Sequence, residues 1–315
     1  MRTLDSLKGK TVLVTGVNGF IGTHLVNRLR KDSDISLVLL SRKSVKRDHE
    51  NSTWVVSALE QLSRETWLVS GLERIDVVFH LGAFTPKTHD TADLVEAIYR
   101  DNLIGTRSLL ESLPSPPERI VFASTIDVYA PMPDGGILSE SSPVQPTSLY
   151  GAAKLFCEQL IRTYAHKHGS RYAVLRYGHI FGPGEEAYEK LIPRTIRQLV
   201  QGESPVLYGD GSVERDFLYV DDAVEATLQA ALTQVDDLDP VNIVRGASTP
   251  VSQIVEMLTA VTKFQGSTRY VTNRPGGHSF RFDNARMQES LGVWNFVPLA
   301  EGLEREVKYF QDMCK

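Results

Sequence analysis

Short apolar segments alternate with longer amphipathic ones over the first half of the chain, from Lys10 to about Tyr177. The apolar segments are rich in β-branched residues and too short for buried helices, so we expect them to be strands. They read TVLVTG, ISLVLL, TWVVS, DVVFHL, RIVFAS and YAVLRY. The segments after Gly19, from Thr91 to Leu113 and from Tyr150 to Lys167 have the apolar spacing of helices. Because crossovers of this length join parallel strands, the pattern predicts an α/β fold with a Rossmann-type doubly wound parallel sheet.

The pattern changes after Tyr177, where the turn-rich segments FGPGEE, QGESP and YGDGS separate shorter elements. We interpret this part as a smaller C-terminal substrate lobe that covers the carboxyl ends of the strands, where open α/β sheets bind ligands. The prediction is a dinucleotide-binding domain over residues 1–176 and a substrate domain over 177–315. The segment from about 215 to 245 has a strand-then-helix pattern and is expected to return to the first domain.

Composition excludes several classes of function. The chain has 315 residues and a formal net charge of −5, so no overall positive field favours nucleic acid or an anionic membrane as a partner. Its two cysteines, Cys157 and Cys314, cannot form a disulfide framework or a four-ligand zinc site, and no metal is expected. The sequence begins without the apolar stretch of a signal peptide and has none of membrane-spanning length, so we expect a cytoplasmic protein.

The first predicted strand runs directly into a glycine-rich turn. Gly16, Gly19 and Gly22 follow TVLVT in the spacing G-x-x-G-x-x-G, which differs from the G-x-G-x-x-G of the common dinucleotide fingerprint. Gly16 would permit the tight turn, Gly19 the approach of a pyrophosphate to the backbone, and Gly22 close packing of helix on strand. A tight turn without a ligand is the alternative, but the position at the start of a βαβ unit favours a dinucleotide site.

The end of the second predicted strand bears on the choice of cofactor. NAD sites place an acidic residue about 20 positions after the glycines, and the residue there is Ser41. Arg42 and Lys43 follow, and a guanidinium can bind the 2′-phosphate of NADP through two hydrogen bonds. We therefore predict NADP (NADPH), with NAD as the second choice. A solvated basic loop is the alternative, and it better explains Lys46 and Arg47.

Tyr150 and Lys154 form the pattern Y-x-x-x-K at the start of a predicted helix. A spacing of four places both side chains on one helical face. A nearby ammonium favours phenolate, which would bring the pKa of Tyr150 toward neutrality, where proton transfer is effective. The pair follows a strand that ends in the polar segment FASTIDVYA, so we interpret it as a catalytic pair.

Together these segments resemble the extended short-chain dehydrogenase/reductase family of nucleotide-sugar epimerases, dehydratases and 4-ketoreductases. The resemblance covers nearly the whole chain, because its motifs occur in the family order. They are TGVNGFIG, VFHLGAF, Asn102-x-x-Gly105-Thr106, ASTIDVYA, YGAAK, RYGHIFGPG, GDGSVERDFLYVDD and RPGG.

The resemblance implies a role for each motif. Thr125 would polarise the oxygen at sugar carbon 4, Tyr150 would exchange its proton, Lys154 would hold the nicotinamide ribose, and Asp127 would be a further catalytic candidate. The implied cofactor site comprises Gly16, Asn18, Gly19, Phe20, Ile21, Gly22, Ser41, Arg42, Lys43, Leu81, Gly82, Ala83, Asn102, Ser124, Tyr150, Lys154, Tyr177, His179 and Ile180. The implied substrate site comprises Phe84, Thr85, Thr125, His179, Leu191, Ile192, Arg194, Leu207, Tyr208, Arg215 and Arg274. Structural ion pairing is the alternative for Arg215 and Arg274.

Departures from the family pattern indicate the subclass. Dehydratases of the family carry an acid and a base at the places of Ile126 and Asp127, and isoleucine cannot transfer protons. Asp127 either serves another proton step or only binds local backbone. Because a basic turn favours exchangeable NADPH, we expect reduction of the C4 ketone of a nucleotide-linked 4-keto-(6-deoxy) sugar, as in deoxysugar biosynthesis. Alternatives are a nucleotide-sugar 4-epimerase and, less favoured, a catalytically silent NADP-binding sensor.

The resemblance also implies a homodimer formed through the helices at 91–113 and 150–167. The apolar contacts would come from Leu94, Val95, Ile98, Leu155 and Leu160. The alternative is that these side chains all face the sheet of their own chain.

Overall fold

The computed structural model describes residues 2–31, 34–43, 52–87, 91–132, 136–272, 277–292 and 295–313. Its strands are β1 Thr11–Thr15, β2 Ser36–Ser41, β3 Ser52–Val56, β4 Val77–His80, β5 Arg119–Thr125, β6 Ile137–Leu138, β7 Arg171–Tyr177, β8 His179–Phe181, β9 Val206–Tyr208, β10 Glu214–Tyr219, β11 Asp237–Ile243, β12 Ser248–Pro250, β13 Arg269–Val271 and β14 Arg281–Phe282.

The α-helices are α1 Phe20–Leu29, α2 Arg64–Leu68, α3 Val95–Ile98, α4 Gly105–Ser112, α5 Leu149–His168, α6 Leu191–Val200, α7 Val220–Leu232, α8 Val251–Thr262, α9 Ala285–Leu291 and α10 Leu299–Met313. Short 3₁₀ helices span Leu4–Leu7, Leu59–Gln61, Ala92–Leu94 and Ile126–Val128, and a π-helical turn spans Tyr99–Ile104. Within the described residues, none of the helices combines the length and the apolar character needed to cross a membrane.

A seven-stranded sheet forms the centre of the fold, in the order β3-β2-β1-β4-β5-β7-β11. Every neighbouring pair in it is parallel. All six strands predicted from sequence belong to this sheet, and the order reverses direction between β1 and β4. The α/β, doubly wound Rossmann-type fold is therefore confirmed.

The two faces of the sheet bury different sets of side chains, as the period of two in a strand requires. In β1, Val12 and Val14 face the core shared with α1 and α7, whereas Leu13 faces the core shared with α4 and α5. All three are fully buried. The inner strands are covered by helices on both faces and are therefore mostly apolar, and this is why they appear in the sequence as continuous runs; the edge strand β3 is only partly buried.

The segment expected to return to the first domain is divided between two sheets. β10 does not join the central sheet; it pairs with β8 and β12 in a separate three-stranded sheet. α7 then packs on α1 and on strands of the central sheet, and β11 adds the last parallel strand beside β7. The division of the chain at residue 176 remains a prediction.

Candidate active site

A cleft of about 790 Å³ lies along the carboxyl ends of the central strands. It runs from β2 past the turn after β1 and the ends of β4 and β5 to the start of α5, and it also contacts β8. Most of the residues predicted for the cofactor site line it: Gly16, Asn18, Gly19, Phe20, Ile21, Gly22, Ser41, Arg42, Lys43, Leu81, Gly82, Ala83, Ser124, Tyr150, Lys154, Tyr177, His179 and Ile180. Thr85, Thr125 and Asp127 line it as well.

The glycine turn after β1 leaves no room for side chains. Gly16 has a φ of 74°, in the left-handed region, and an added Cβ would lie 2.8 Å from the backbone nitrogen of Gly82. A Cβ on Gly22 would lie 2.0 Å from the carbonyl oxygen of Gly16. Helix α1 begins at Phe20, so its first N–H groups lie beside this turn. The result is a bare backbone cradle at a helix N-terminus, which fits a pyrophosphate.

The end of β2 is organised by hydrogen bonds of Ser41. Its Oγ accepts a hydrogen bond from Asn18 Nδ2 at 2.7 Å and one from the backbone nitrogen of Lys43 at 3.2 Å. It also donates to the carbonyl oxygen of Lys43 at 2.9 Å. Arg42 points across the cleft, and its Nη1 lies 3.2 Å from Oδ2 of Asp101. Ser41 therefore shapes the turn, and Arg42 and Lys43 provide its positive charge.

The predicted catalytic residues come together at the other end of the cleft. Helix α5 begins at Leu149 with Ser148 as its N-cap, so Tyr150 and Lys154 lie on its first two turns. Lys154 Nζ donates to the carbonyl oxygen of Ala123 at 2.7 Å and lies 5.9 Å from the centre of the Tyr150 ring. Thr125, at the end of β5, lies in the same part of the cleft. The first turn of α5 packs directly on the backbone that follows β5, since a Cβ on Gly151 would lie 2.3 Å from the carbonyl oxygen of Asp127.

Burial dominates the protonation of this pair. It raises the pKa of Tyr150 well above its ordinary value, although a hydrogen bond with Thr85 opposes the shift; the charge of Asp127 raises the pKa further. Burial also lowers the pKa of Lys154 to about 8. The expectation that Lys154 brings the pKa of the phenol toward neutrality is therefore wrong for the protein alone, because burial raises that pKa. A cation bound beside the phenol would be needed to reverse the direction.

Buried hydrogen bonds fix the ends of β4 and β5, the two strands that lead into the cleft. His80, at the end of β4, bonds Thr15 Oγ1 through Nδ1 and Thr106 Oγ1 through Nε2, both at 2.9 Å. Burial lowers the pKa of His80 to about 3, so it is a neutral, architectural residue. Behind β5, Glu158 accepts a hydrogen bond from Ser124 Oγ at 2.6 Å and forms a two-point ion pair with Arg176.

His179 lines the cleft as a neutral ring. Its imidazole packs against Phe217 and Phe280, and burial lowers its pKa to about 3. Its Nδ1 is buried and has no hydrogen-bond partner among the described residues. It therefore supplies no charge to the cleft.

Several predicted residues do not line this cleft. Asn102 is buried, and its side-chain amide binds the backbone N–H and carbonyl of Phe84, so both residues shape the wall behind the cleft. Arg215 donates to the carbonyl oxygens of Glu214 and His278 and stacks on Phe280. The remaining residues predicted for substrate are also absent from the lining: Leu191, Ile192, Arg194, Leu207 and Tyr208. Arg274 lies outside the described residues.

The cleft also contains polar residues that the sequence analysis did not select: Thr15, Ser57, Glu60, Lys87, Asp101, Tyr188 and Lys190. Two of them had a sequence signal, because Asp101 directly precedes Asn102 and Lys190 directly precedes Leu191. Thr15 is the first residue of the TGVNGFIG motif, and the others lie outside the motifs named above. Within the described residues, no group of three histidine, cysteine or acidic side chains is arranged to hold a metal ion.

Comparison with known proteins identifies the family. A sequence profile described as the NAD dependent epimerase/dehydratase family matches residues 12–244. A dTDP-glucose 4,6-dehydratase of Streptomyces griseus is 31% identical over 95% of this chain and 93% of its own.

Solved structures share the fold over the whole length. The UDP-glucose 4-epimerase of Thermotoga maritima, solved with UDP-glucose, has a TM-score of 0.82 and 29% identity, covering 97% of this chain and 100% of its own. MoeE5, solved with UDP-glucose and NAD, has a TM-score of 0.83 and 30% identity over the same shares. The chain therefore belongs to the NAD dependent epimerase/dehydratase family, a group of extended short-chain dehydrogenases/reductases that act on nucleotide sugars.

Proposed function

We propose that this protein is a nucleotide-sugar 4-epimerase that oxidises and re-reduces carbon 4 of a nucleoside-diphosphate sugar. The observation that carries the proposal is the convergence of Thr125, Tyr150 and Lys154 in the cleft that the glycine turn also lines. The similar T. maritima protein is a 4-epimerase solved with UDP-glucose, which supports the same substrate class here. This choice reverses our sequence-based preference for net reduction.

The residues of the chain have separate tasks in this reaction. As the phenolate, Tyr150 accepts the proton of the carbon-4 hydroxyl when that carbon is oxidised, and as the phenol it returns the proton when the ketone is reduced; its hydrogen bond with Thr85 orients it. The Thr125 hydroxyl, 7% exposed, donates to the same sugar oxygen. Lys154, held by the carbonyl of Ala123, places a positive charge beside the phenol ring. Because burial favours the protonated phenol, Tyr150 is prepared to act as the proton donor to an alkoxide.

The chain fits a nicotinamide dinucleotide, since the turn at Gly16, Gly19 and Gly22 packs so closely on neighbouring backbone that Gly16 and Gly22 admit no Cβ, which leaves a bare backbone at the start of α1. That cradle would hold the pyrophosphate, and Lys154 the nicotinamide ribose. When bound, the nicotinamide supplies the redox chemistry at carbon 4, and its positive charge in the oxidised form would lower the pKa of Tyr150.

NADP is the proposed cofactor, with NAD as the second choice. Ser41 stands where NAD sites carry a carboxylate, and its single proton is donated to the carbonyl of Lys43. Arg42 and Lys43 follow at the same edge of the cleft and supply the charge that a 2′-phosphate requires. MoeE5 was solved with NAD, so this preference is a property proposed for this chain's own β2 turn.

Reduction of a 4-keto sugar is the second candidate, and the basic β2 turn is the observation that favours it. A reductase must exchange its cofactor at every turnover, whereas an epimerase can retain it. Dehydration, the activity named for the S. griseus relative, is not favoured, because Ile126 cannot transfer a proton.

Stoichiometry distinguishes the two candidates. Purified protein with catalytic NADP⁺ or NAD⁺ should interconvert UDP-glucose and its C4 epimer, or the corresponding dTDP, GDP or CDP sugars, with no net change in cofactor absorbance. Consumption of one NADPH per molecule of a 4-keto sugar, without such interconversion, would favour the reductase instead.

Loss of the phenol tests the site itself. Tyr150→Phe should lower turnover by about 10²–10⁴-fold, as removal of a positioned acid does, and leave cofactor binding intact. Near-normal turnover in this variant would remove Tyr150 from the reaction. Tight NADPH binding by the wild-type protein without turnover of any nucleotide sugar would point to a sensor.

A further inference from the structure

Arg42 is held in place from the opposite wall of the cleft. Its side chain is 68% exposed, whereas that of its partner Asp101 is only 10% exposed. Arg42 Nη1 lies 3.2 Å from Asp101 Oδ2. Because a long exposed arginine otherwise samples many rotamers, a contact with a nearly buried carboxylate restricts where its guanidinium can lie.

The carboxylate of Asp101 is itself fixed by its surroundings. Its Oδ1 accepts a hydrogen bond from Arg100 Nε at 2.8 Å, and Arg100 Nε also lies 3.8 Å from Glu60. Asp101 lies in the π-helical turn Tyr99–Ile104, a local widening that often marks functional sites. The next residue, Asn102, anchors the same turn to the backbone of Phe84. Asp101 is thus a rigid acceptor at the edge of the cleft.

The contact with Asp101 uses only part of the Arg42 guanidinium. Only Nη1 takes part, and the guanidinium has five N–H donors in a planar fork. The other donors can meet two oxygens of one phosphate. Ser41 cannot add a donor, because its proton is given to Lys43. Among the described residues of the β2 turn, Arg42 is therefore the side chain whose planar fork can bind a phosphate through two hydrogen bonds.

We infer that Asp101 is a positioning residue that determines the preference for the 2′-phosphorylated dinucleotide, by holding Arg42 at the β2 edge of the cleft. The inference rests on the NADP preference proposed above. The opposite role has an equally clear physical basis: the Asp101 carboxylate, 3.2 Å from Arg42 Nη1, would repel a phosphate bound to that guanidinium, and the experiment separates the two roles.

The test is equilibrium binding of NADPH and NADH to the full-length protein, followed by cofactor fluorescence. Asp101→Asn should raise the Kd for NADPH by about three- to tenfold, the range expected for a coupled neighbouring pair, and change the Kd for NADH less than twofold. Arg42→Ala should weaken NADPH further. In the Arg42→Ala background, Asp101→Asn should have no additional effect on NADPH, because the group that it positions is gone.

Glu111→Gln is the matched control, since Glu111 is an exposed carboxylate on α4 that pairs with Arg107 instead. Its Kd for both cofactors should equal that of the wild type. If Asp101→Asn tightens NADPH binding, or weakens both cofactors equally, the positioning role is wrong. If Arg42→Ala itself fails to discriminate between the cofactors, the NADP preference is wrong, and the inference falls with it.

Discussion

Lys154 carries a buried ammonium group and is only 3% exposed, so burial of its charge lowers the stability of the folded protein. Burial lowers its pKa to about 8, against an ordinary value of 10.5. Below pH 8 the folded protein holds this charge at the full desolvation penalty, which by linkage is roughly 3 kcal/mol at most. Between pH 8 and 10.5 the unfolded chain binds a proton that the folded protein lacks, so this residue's contribution to stability rises with pH.

We therefore predict that Lys154→Met increases the free energy of unfolding of the cofactor-free protein at pH 7, and that this gain shrinks as pH rises from 8 to 10.5. Urea denaturation at several pH values measures the difference from wild type. Lys167→Met, an exposed site near the end of the same helix, should show little gain and no such trend. A gain independent of pH would mean that packing, and not charge burial, is responsible. The same residue that the reaction needs is thus predicted to cost stability.

At the scale of elements, helix α10 meets the loop after β8 through two buried carboxyl groups. Glu185 is 1% exposed and Glu306 is not exposed at all. Burial raises the pKa of both, and the neighbouring Glu185 raises that of Glu306 further, while Lys190 opposes both shifts. Lys190 Nζ lies 3.3 Å from Glu185 Oε2 and lines the cleft. Two such interacting buried acids beside a single cation are expected to share one proton.

Glu306→Gln should therefore stabilise the protein toward alkaline pH. As pH rises above about 4.5, the unfolded chain loses its carboxyl proton while the folded protein keeps it, so wild-type stability falls with rising pH over this window. The amide has no proton to lose, so thermal unfolding should show a variant less sensitive to pH than the wild type. Glu304→Gln, exposed on the same helix, is the control. A variant less stable than wild type at pH 8 would contradict the shared proton.

The elements differ in how far local sequence determined them. Most strands of the central sheet could be predicted because burial on both faces makes them continuous apolar runs. The role of Gly22 could be predicted because a Cβ there would lie only 2.0 Å from the carbonyl oxygen of Gly16. The helix predicted from Thr91 to Leu113 instead contains a π-helical turn. That turn brings Asp101 to Arg42, a contact between residues 59 positions apart that no local pattern encodes.

The substrate lobe was harder to predict for the same reason. β10 begins with three charged residues and ends in the apolar run Phe217–Tyr219, and its assignment to the small sheet depends on pairing with β8 and β12. Arg215 matched a family motif, yet its hydrogen bonds go to backbone carbonyls. Motifs near the cofactor were informative because one short turn defines them, whereas the substrate side is assembled from distant segments.

At the scale of the whole molecule, the surface formed by α3, the π-helical turn and α5 carries exposed apolar side chains. α3 and the π-helical turn pack beside α5. Val95 and Tyr99 on the first two, and Phe156 on α5, are each more than half exposed. Of the five residues predicted for a dimer interface, only Val95 is exposed; Ile98 is buried, and Leu94, Leu155 and Leu160 are partly buried. We propose that a homodimer forms here, with Tyr99 and Phe156 in place of the buried residues.

Phe156→Asp should then shift the protein from dimer to monomer, because a charge at the centre of an apolar two-fold interface is desolvated twice, once for each copy. Sedimentation velocity over a range of concentrations measures the shift. Since Phe156 is 56% exposed in the single chain, its replacement should leave the stability of the monomer nearly unchanged. Leu68→Asp on α2, 63% exposed, is the matched control and should not alter assembly. A wild-type protein that sediments as a monomer, or a Phe156→Asp variant that remains dimeric, would show that this surface is not the interface.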